Sequence, residues 1–241
     1  MKDELYKTPL KSREKFEFSS KVADVFNDMI SRSVPYYEAN QIMTAQMAAE
    51  FYQDNTIIFD LGCSIGTTAK YLSDAFPDRN FQYTGIDNSP AMVEKALLNT
   101  KNLPETHKIH FISGDIEGTD YKNASVVIAN YTFQFIPPEK RLSLLQNIFN
   151  SLAPSGILLL SEKVLEDDPR FSRVFAEMHH NMKKAHGYSD LEIIQKRDAL
   201  ENVLIPNTAQ QNMDLLTQAG FQSTAIYHKW YNFASYIALK K

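Results

Sequence analysis

Residues 57–66, IIFDLGCSIG, constrain the fold of this chain more than any other segment. They have the pattern of a short apolar strand that ends in an acid and a glycine-punctuated turn, and a helix-compatible segment follows. Asp87 then closes a second apolar run. This order predicts a doubly wound sheet that holds a nucleoside, because the Asp87 carboxylate can accept hydrogen bonds from ribose hydroxyls.

The spacing of the glycines distinguishes between two nucleoside ligands. The dinucleotide pattern GxGxxG, begun at Gly62, requires glycine at positions 64 and 67, where the chain has Ser64 and Thr67. The alternative GxGxG requires glycine at 64 and 66, where the chain has Ser64 and Gly66. That spacing is used by S-adenosylmethionine (SAM) enzymes and suits a ligand without a pyrophosphate. The turn therefore favours SAM over NAD, and the absent side chains at Gly62 and Gly66 predict close approach of a ligand to the backbone.

Composition and charge limit the class of protein. A chain of 241 residues with 44% apolar residues can build one large α/β domain, and we expect a single domain over residues 1–241. The net charge of −4 argues against a tRNA-binding surface. Lys183, Lys184, Lys196 and Arg197 nevertheless form a local patch suited to a small anion. One cysteine and the lack of a long apolar run predict a cytoplasmic protein without membrane contact.

Hydrophobic patterns predict the order of the helices and strands. Residues 1–53 are expected to form two N-terminal helices, interrupted by Pro35. Strands then alternate with helices, which predicts a parallel sheet covered on both faces. The predicted strands are 56–61, 81–86, 109–113, 125–130, 156–161, 223–227 and 230–239. The predicted helices after the first are 37–52, 67–76, 90–99, 138–152 and 209–219.

Two segments break the alternation. Residues 168–202 predict two helices in series, where Gly187 ends the first and Ser189 caps the second, so segment 164–204 is expected to be a helical insertion over the site. Only His228 and Lys229 separate the last two strands, which predicts an antiparallel pair. The expected fold is a doubly wound, mostly parallel, seven-stranded Rossmann-like sheet of the class I SAM methyltransferase type.

Small or polar residues follow four of the predicted strands. In an open parallel sheet the ligand binds beyond the carboxyl ends of the strands, where strand order reverses. Asp115, or a backbone amide beside it, can bind an adenine amine there, and Cys63 is expected to be a small turn residue rather than a nucleophile. We expect these residues to line one site: Gly62, Cys63, Ser64, Asp87, Asn88, Asp115, Ile116 and Asn130.

Other polar residues are weaker candidates for chemistry. His179, His180 and His186 lack the acidic partners and spacing of a metal site, so we expect surface or helix-packing histidines and no metal. Glu162 forms no acid–base pair in the sequence and is expected to be a solvated charge. Without a nucleophile–base arrangement, the chemistry is expected to come from the bound ligand, with the protein supplying position and electrostatics.

Several segments make the chain resemble the carboxy-S-adenosyl-L-methionine synthases, the CmoA family, over almost its full length. These bacterial proteins have the SAM-methyltransferase fold and are involved in modifying the tRNA wobble uridine. The segments are VADVFNDMISRSVP (22–35), DLGCSIG (60–66), GIDNSPAMVE (85–94), NASVVIANYTFQF (123–135), LLSEK (159–163), HGYSDLEIIQKRDALENV (186–203) and YNFASYIALK (231–240). Of these, methyltransferases in general have sequences similar only to the second and the third.

This resemblance implies a transferase that converts SAM and prephenate to carboxy-SAM, with phenylpyruvate and water as by-products. It implies that the sulfonium-bound methyl loses a proton to form an ylide, which captures CO2 released from prephenate. A carboxymethyl-transferring tRNA enzyme then acts on the wobble uridine, so no direct nucleic-acid binding is expected, whereas a homodimer is. A SAM-dependent methyltransferase acting on a small molecule or tRNA stays the alternative, and a SAM-binding protein without catalysis is a third reading.

The resemblance also implies roles for particular residues. Tyr37 joins the strand-end residues in contacting the nucleoside and methionine parts, and Arg197, in the motif QKR, binds the extra carboxylate. A guanidinium binds a carboxylate bidentately, and an enzyme that uses ordinary SAM has no need of one there. The sequence leaves open whether Arg197 acts in its own subunit or in a neighbour's. The family commonly has glycine at the positions of Tyr36 and Ala234, so the geometry of the entrance loop is expected to differ.

Overall fold

One mixed sheet of seven strands forms the centre of the computed structural model, which describes residues 1–9 and 15–241. The strands are β1 (Ile57–Leu61), β2 (Gln82–Asp87), β3 (Lys108–Ser113), β4 (Ala124–Asn130), β5 (Leu152–Lys163), β6 (Ser223–Trp230) and β7 (Phe233–Leu239). The strand order is β3-β2-β1-β4-β5-β7-β6, and among the described strands β7 runs opposite to the other six. The predicted doubly wound, mostly parallel sheet is confirmed.

Helices cover both faces of the sheet because its central strands are apolar on both sides. The helices are α1 (Ser20–Ser33), α2 (Tyr37–Phe51), α3 (Thr67–Ala75), α4 (Pro90–Thr100), α5 (Pro138–Ser151), α6 (Pro169–Ala185), α7 (Asp190–Leu200) and α8 (Ala209–Ala219), with a 3-10 turn at Phe133–Phe135. In β4, Val127 and Ala129 pack with α5 and α8, whereas Val126 and Ile128 pack with α2 and α3 on the opposite face. No helix within residues 1–9 and 15–241 is long and apolar enough to cross a membrane.

The junction between α6 and α7 forms as the sequence predicts. Gly187 takes the left-handed conformation, with φ of 86°, that lets the chain leave α6 without strain. The Ser189 hydroxyl accepts from the Glu192 backbone N–H, and the Glu192 side chain accepts in return from the Ser189 N–H. This capping box fixes the start of α7 and so the direction in which its side chains point.

The C-terminal hairpin is antiparallel as predicted, but its turn lies further along the chain. His228 and Lys229 belong to β6, and the turn consists of Tyr231 and Asn232, since Trp230 pairs directly with Phe233. A two-residue hairpin turn requires positive φ, which Tyr231 adopts at 41°. The expected junction is wrong because the sequence at the real turn lacks the glycine that usually marks one.

The chain ahead of α1 is tied to the α6–α7 region. The Phe16 N–H donates to the Ala199 carbonyl at 3.0 Å, and the Gln195 amide donates to backbone carbonyls of the first nine residues. Asp3 is buried and accepts a hydrogen bond from the Tyr188 hydroxyl. The N-terminal segment therefore holds α7 in place from the outside.

Candidate functional site

A cavity of about 1000 Å³ lies beyond the carboxyl ends of the parallel strands. Strand order reverses between β1 and β4, so this is the edge at which open α/β sheets bind ligands. The structure brings all the predicted site residues to the wall of this one cavity, whereas which ligand atoms they contact stays a prediction. They are Tyr37, Gly62, Cys63, Ser64, Asp87, Asn88, Asp115, Ile116, Asn130 and Arg197.

The glycines of the turn after β1 are required by packing within the protein. Gly62 and Gly66 have φ of 73° and 76°, which side chains disfavour. A Cβ on Gly62 would lie 2.4 Å from Thr132 Oγ1, and one on Gly66 would lie 3.2 Å from Phe111 Cζ. The positions that side chains would occupy are thus filled by protein, while Gly62 still lines the cavity, so close approach of a ligand to its backbone stays a prediction.

Asp87 orders the turn and also faces the cavity. Its Oδ2 accepts from the Ser64 backbone N–H at 2.9 Å, and its Oδ1 accepts from the Ser89 N–H at 2.9 Å. Burial raises the pKa of the Asp87 carboxyl, while these two hydrogen bonds oppose the rise. Each carboxylate oxygen can take a second hydrogen bond, so Asp87 can still accept from a ligand.

Asn130 presents an unsatisfied carboxamide to the cavity. Its Nδ2 and Oδ1 are both buried, and neither has a hydrogen-bond partner in the described structure. Leaving such groups unpaired costs about 1–3 kcal/mol. A ligand with adjacent acceptor and donor groups removes that cost, and the carboxylate and ammonium of a methionine moiety are such a pair. The site therefore fits SAM.

The far end of the cavity is basic. It is lined by Lys163 from the end of β5, Lys183 from α6 and Lys196 from α7. Burial lowers the pKa of Lys163; burial and the neighbouring cations lower the pKa of Lys183 to about 8; and burial lowers the pKa of Lys196 to about 8. Lys184, the remaining lysine of the predicted patch, is exposed and pairs with Asp190.

His179 lies within this basic region as a neutral, packed side chain. Its Nε2–H donates to the Ser33 carbonyl at 2.7 Å, and its ring meets the Phe233 ring edge to face at 4.9 Å. Burial and the charge of Lys183 lower the pKa of His179 to about 3. The prediction of a packing histidine is confirmed here. Within residues 1–9 and 15–241, no group of three His, Cys, Asp or Glu side chains is placed to hold a metal.

Arg197 lines the cavity at its open side. Its side chain is 73% exposed, and its Nε lies 3.5 Å from Asp198 Oδ1. At that distance and exposure the ion pair contributes little to stability. The guanidinium is therefore available to a ligand.

Comparison with known proteins identifies the family. Residues 58–156 match the family model described as a methyltransferase domain. The carboxy-S-adenosyl-L-methionine synthase of Geobacter sp. is 42% identical over 239 residues, which cover 99% of this chain and 98% of that protein. The chain belongs to the carboxy-S-adenosyl-L-methionine synthase family. The synthase of Desulfotalea psychrophila is 41% identical over 239 residues, covering 99% of this chain and 97% of that protein.

Solved structures share the fold at low identity. Human N-acetylserotonin methyltransferase in complex with SAM has a TM-score of 0.62 at 19% identity, over 92% of this chain and 55% of that one. The methyltransferase SibL has a TM-score of 0.65 at 18% identity, over 96% of this chain and 63% of that one. These likenesses establish the SAM-methyltransferase fold, whereas the family follows from the full-length relatives.

Tyr36 occupies a position at which glycine would be free of strain. It has φ of 52°, in the left-handed region, immediately before α2 and beside Tyr37. Its ring makes edge contacts with His228 and Trp230. The backbone before α2 therefore has a conformation that glycine adopts without strain. Holding Tyr36 in this conformation costs roughly 1–2 kcal/mol. Ala234, the second departure, is buried in β7.

Sequence reasoning missed Glu162, which is buried rather than solvated. Its two carboxylate oxygens accept from the backbone N–H groups of Phe133 and Gln134 at 2.9 and 2.8 Å. Burial raises the pKa of Glu162 to about 8, although these amides and the Arg141 guanidinium oppose the rise. Glu162 thereby fixes the turn after Asn130. The sequence does contain a signal for this role, because a charged residue within the apolar run of β5 is expected to be buried and to need hydrogen-bond partners.

Proposed function

We propose that this protein converts SAM and prephenate to carboxy-SAM, phenylpyruvate and water, for wobble-uridine modification of tRNA. The observation that supports this most is the full-length relationship to the synthases, with Arg197 at the cavity. In the reaction a C–C bond of prephenate breaks to release CO2, and its ring becomes aromatic as hydroxide leaves. The hydroxide takes a proton from the SAM methyl group to give water, and a C–C bond joins that carbon to CO2.

Different residues of the cavity bind different parts of SAM. We assign the ribose to Asp87 and the glycine turn, the adenine to Asp115 and Ile116, and the methionine part to Tyr37 and Asn130. Segment 164–204 acts as a cover within a single domain. Excluding bulk water matters here because a carbanion would otherwise be protonated before it meets CO2.

A single assay tests the proposed function. The protein is incubated with SAM and prephenate, and the products are analysed by mass spectrometry for an adduct of SAM heavier by one CO2. Its absence from protein that binds SAM would overturn the proposal. Methyl transfer from labelled SAM to tRNA or a small molecule, without that adduct, would establish the methyltransferase alternative instead. Adduct that copurifies without turnover would establish a binding protein.

We infer that the functional unit is a cytoplasmic homodimer that supplies a separate carboxymethyl-transferring tRNA enzyme. Helix α6 supports this, because Phe171, Val174 and Met178 are exposed on it at 55%, 39% and 37%. Exposed apolar side chains on one helix are typical of an interface. Analytical ultracentrifugation of the protein and of Phe171→Glu tests the dimer, which the charge should dissociate.

We expect Asp87→Ala to weaken SAM and carboxy-SAM binding by the same factor. Both ligands carry the same ribose, and loss of a charged acceptor costs about 1.5–3 kcal/mol, or roughly 10- to 150-fold in affinity. Calorimetric titration with each ligand measures this, with the exposed Asp74→Ala as a control. A loss selective for one ligand would contradict the assignment of Asp87 to the ribose.

A further inference from the structure

The cavity has room for a second molecule beside the nucleoside. Its volume of about 1000 Å³ is at the upper end of the ~300–1,000 Å³ usual for ligand pockets. Apart from Tyr37 on α2 and Arg197 on α7, the residues assigned to SAM follow β1 to β4, whereas Lys163 ends β5, three strands away from Asp87 on β2. Neighbouring strands are about 4.8 Å apart, so these two ends of the cavity are separated by roughly 14 Å. The part lined by Lys163, Lys183 and Lys196 is not assigned to SAM and is available to another substrate.

This part of the cavity is lined by three lysines, and the charges of Asp3 and Asp28 act on one of them, Lys196. Within residues 1–9 and 15–241, the ammonium groups of Lys163 and Lys183 have no carboxylate partner, and the charges of Lys163, Lys196 and Arg197 all act on Lys183. The Lys196 ammonium donates to the Ser33 hydroxyl at 3.0 Å. Half-buried like charges repel one another, so an anion bound beside Lys163 and Lys183 would relieve repulsion at Lys183.

An aromatic wall lies next to these lysines. Tyr37, Tyr131 and Phe233 form one buried cluster that lines the same cavity, and the Tyr131 and Phe233 rings meet at 6.2 Å. His179 extends the wall through its contact with Phe233. A flat ring with an acidic side chain matches this combination, because the ring packs on the aromatic groups while the carboxylate meets the ammonium groups.

We propose that Lys163, Lys183 and Lys196 bind the α-keto carboxylate that prephenate keeps through the reaction, with its ring against Tyr131 and Phe233. This rests on the proposed function, which supplies the identity of the second substrate. The retained carboxylate is the one assigned because strong pairing of the departing carboxylate would stabilise the substrate against loss of CO2. Phenylpyruvate, which keeps only the retained carboxylate, therefore binds through the same lysines.

Lysine-to-glutamine variants test the proposal. For Lys163→Gln, Lys183→Gln and Lys196→Gln we expect the KM for prephenate and the Kd for phenylpyruvate to rise on the order of 10- to 100-fold. Phenylpyruvate binding is measured by calorimetry with S-adenosylhomocysteine present, and SAM affinity should change less than about threefold. Lys184→Gln, on the same helix but paired with Asp190 outside the cavity, is the matched control and should leave all these values unchanged.

The outcomes separate this proposal from the proposed function. If the wild type makes carboxy-SAM and the three variants keep normal values for prephenate and phenylpyruvate, the lysine site is wrong while the function stands. Lysine-dependent binding of phenylpyruvate without carboxy-SAM formation supports the site and overturns the function. If the wild type binds neither prephenate nor phenylpyruvate, both the lysine site and the proposed function are wrong. Thermal melting checks folding, and Lys183→Arg, which keeps the charge, should retain phenylpyruvate binding.

Discussion

Gly62→Ala should destabilise the protein by about 2–5 kcal/mol and abolish SAM binding. The alanine must adopt the left-handed φ of 73° that Gly62 has, and its Cβ would lie 2.4 Å from Thr132 Oγ1. Thr132 cannot withdraw freely, since its hydroxyl donates to the Leu61 carbonyl at 2.7 Å. Relief of the clash would therefore displace the turn that carries the ligand site.

Urea unfolding and calorimetric titration with SAM measure this effect. Gly118→Ala is the control, because a Cβ there meets no atom within 4 Å, and a surface change of this kind stays within about 0.5 kcal/mol. The double variant Gly62→Ala/Thr132→Ala removes the nearest atoms and should recover part of the loss, leaving the backbone strain. If Gly62→Ala unfolds like Gly118→Ala, the packing explanation for the glycine is wrong.

Arg197→Ala should weaken carboxy-SAM binding more than SAM binding, by about 1.5–3 kcal/mol, or roughly 10- to 150-fold. The two ligands differ by one carboxylate, and we propose that Arg197, in the motif QKR, binds it. Arg197→Lys keeps the charge but loses bidentate geometry, so we expect it to recover only part of the difference. Titration of each variant with both ligands gives the two affinities.

Equal losses for SAM and carboxy-SAM would remove Arg197 from this role. The 73% exposure of its side chain raises the question of which subunit it serves in a homodimer. Mixed dimers of Arg197→Ala and Asp87→Ala answer it. If Arg197 serves the neighbour's site, one of the two mixed sites is intact and carboxy-SAM formation returns; if it serves its own, both sites stay defective.

Most of the fold could be predicted because parallel strands covered on both faces are nearly continuous apolar runs. β4 is buried along almost its whole length, and such runs separated by helical patterns specify the order of elements. The hairpin turn was misplaced because Tyr231 provides its positive φ without a glycine signal. Turn position there depends on the pairing of Trp230 with Phe233, which is a tertiary property.

The site residues also differ in whether the sequence alone predicts them. Residues such as Asp87 and Asn130 could be predicted because a strand's carboxyl end is a local feature of the sequence. The site role of Lys163 could not, because its surroundings are set by the position of α6 and α7, residues distant in the chain. For Glu162 the partners are backbone groups of the 3-10 turn, which have no signature in side-chain pattern.

The contacts between the N-terminal segment and the α6–α7 region form late in synthesis, because the two segments are far apart in the chain. Asp3 and its partner Tyr188 are 185 residues apart. At translation rates of about 5–20 residues per second, Asp3 is synthesised roughly 10–40 seconds before Tyr188. Val22, Phe26 and Met29 of α1 share a buried cluster with Ile65 and Met92, which are made within that interval, and with Ala199, which is made only after it. The α7 side of this cluster is therefore completed late in synthesis, after the rest of its residues have been made.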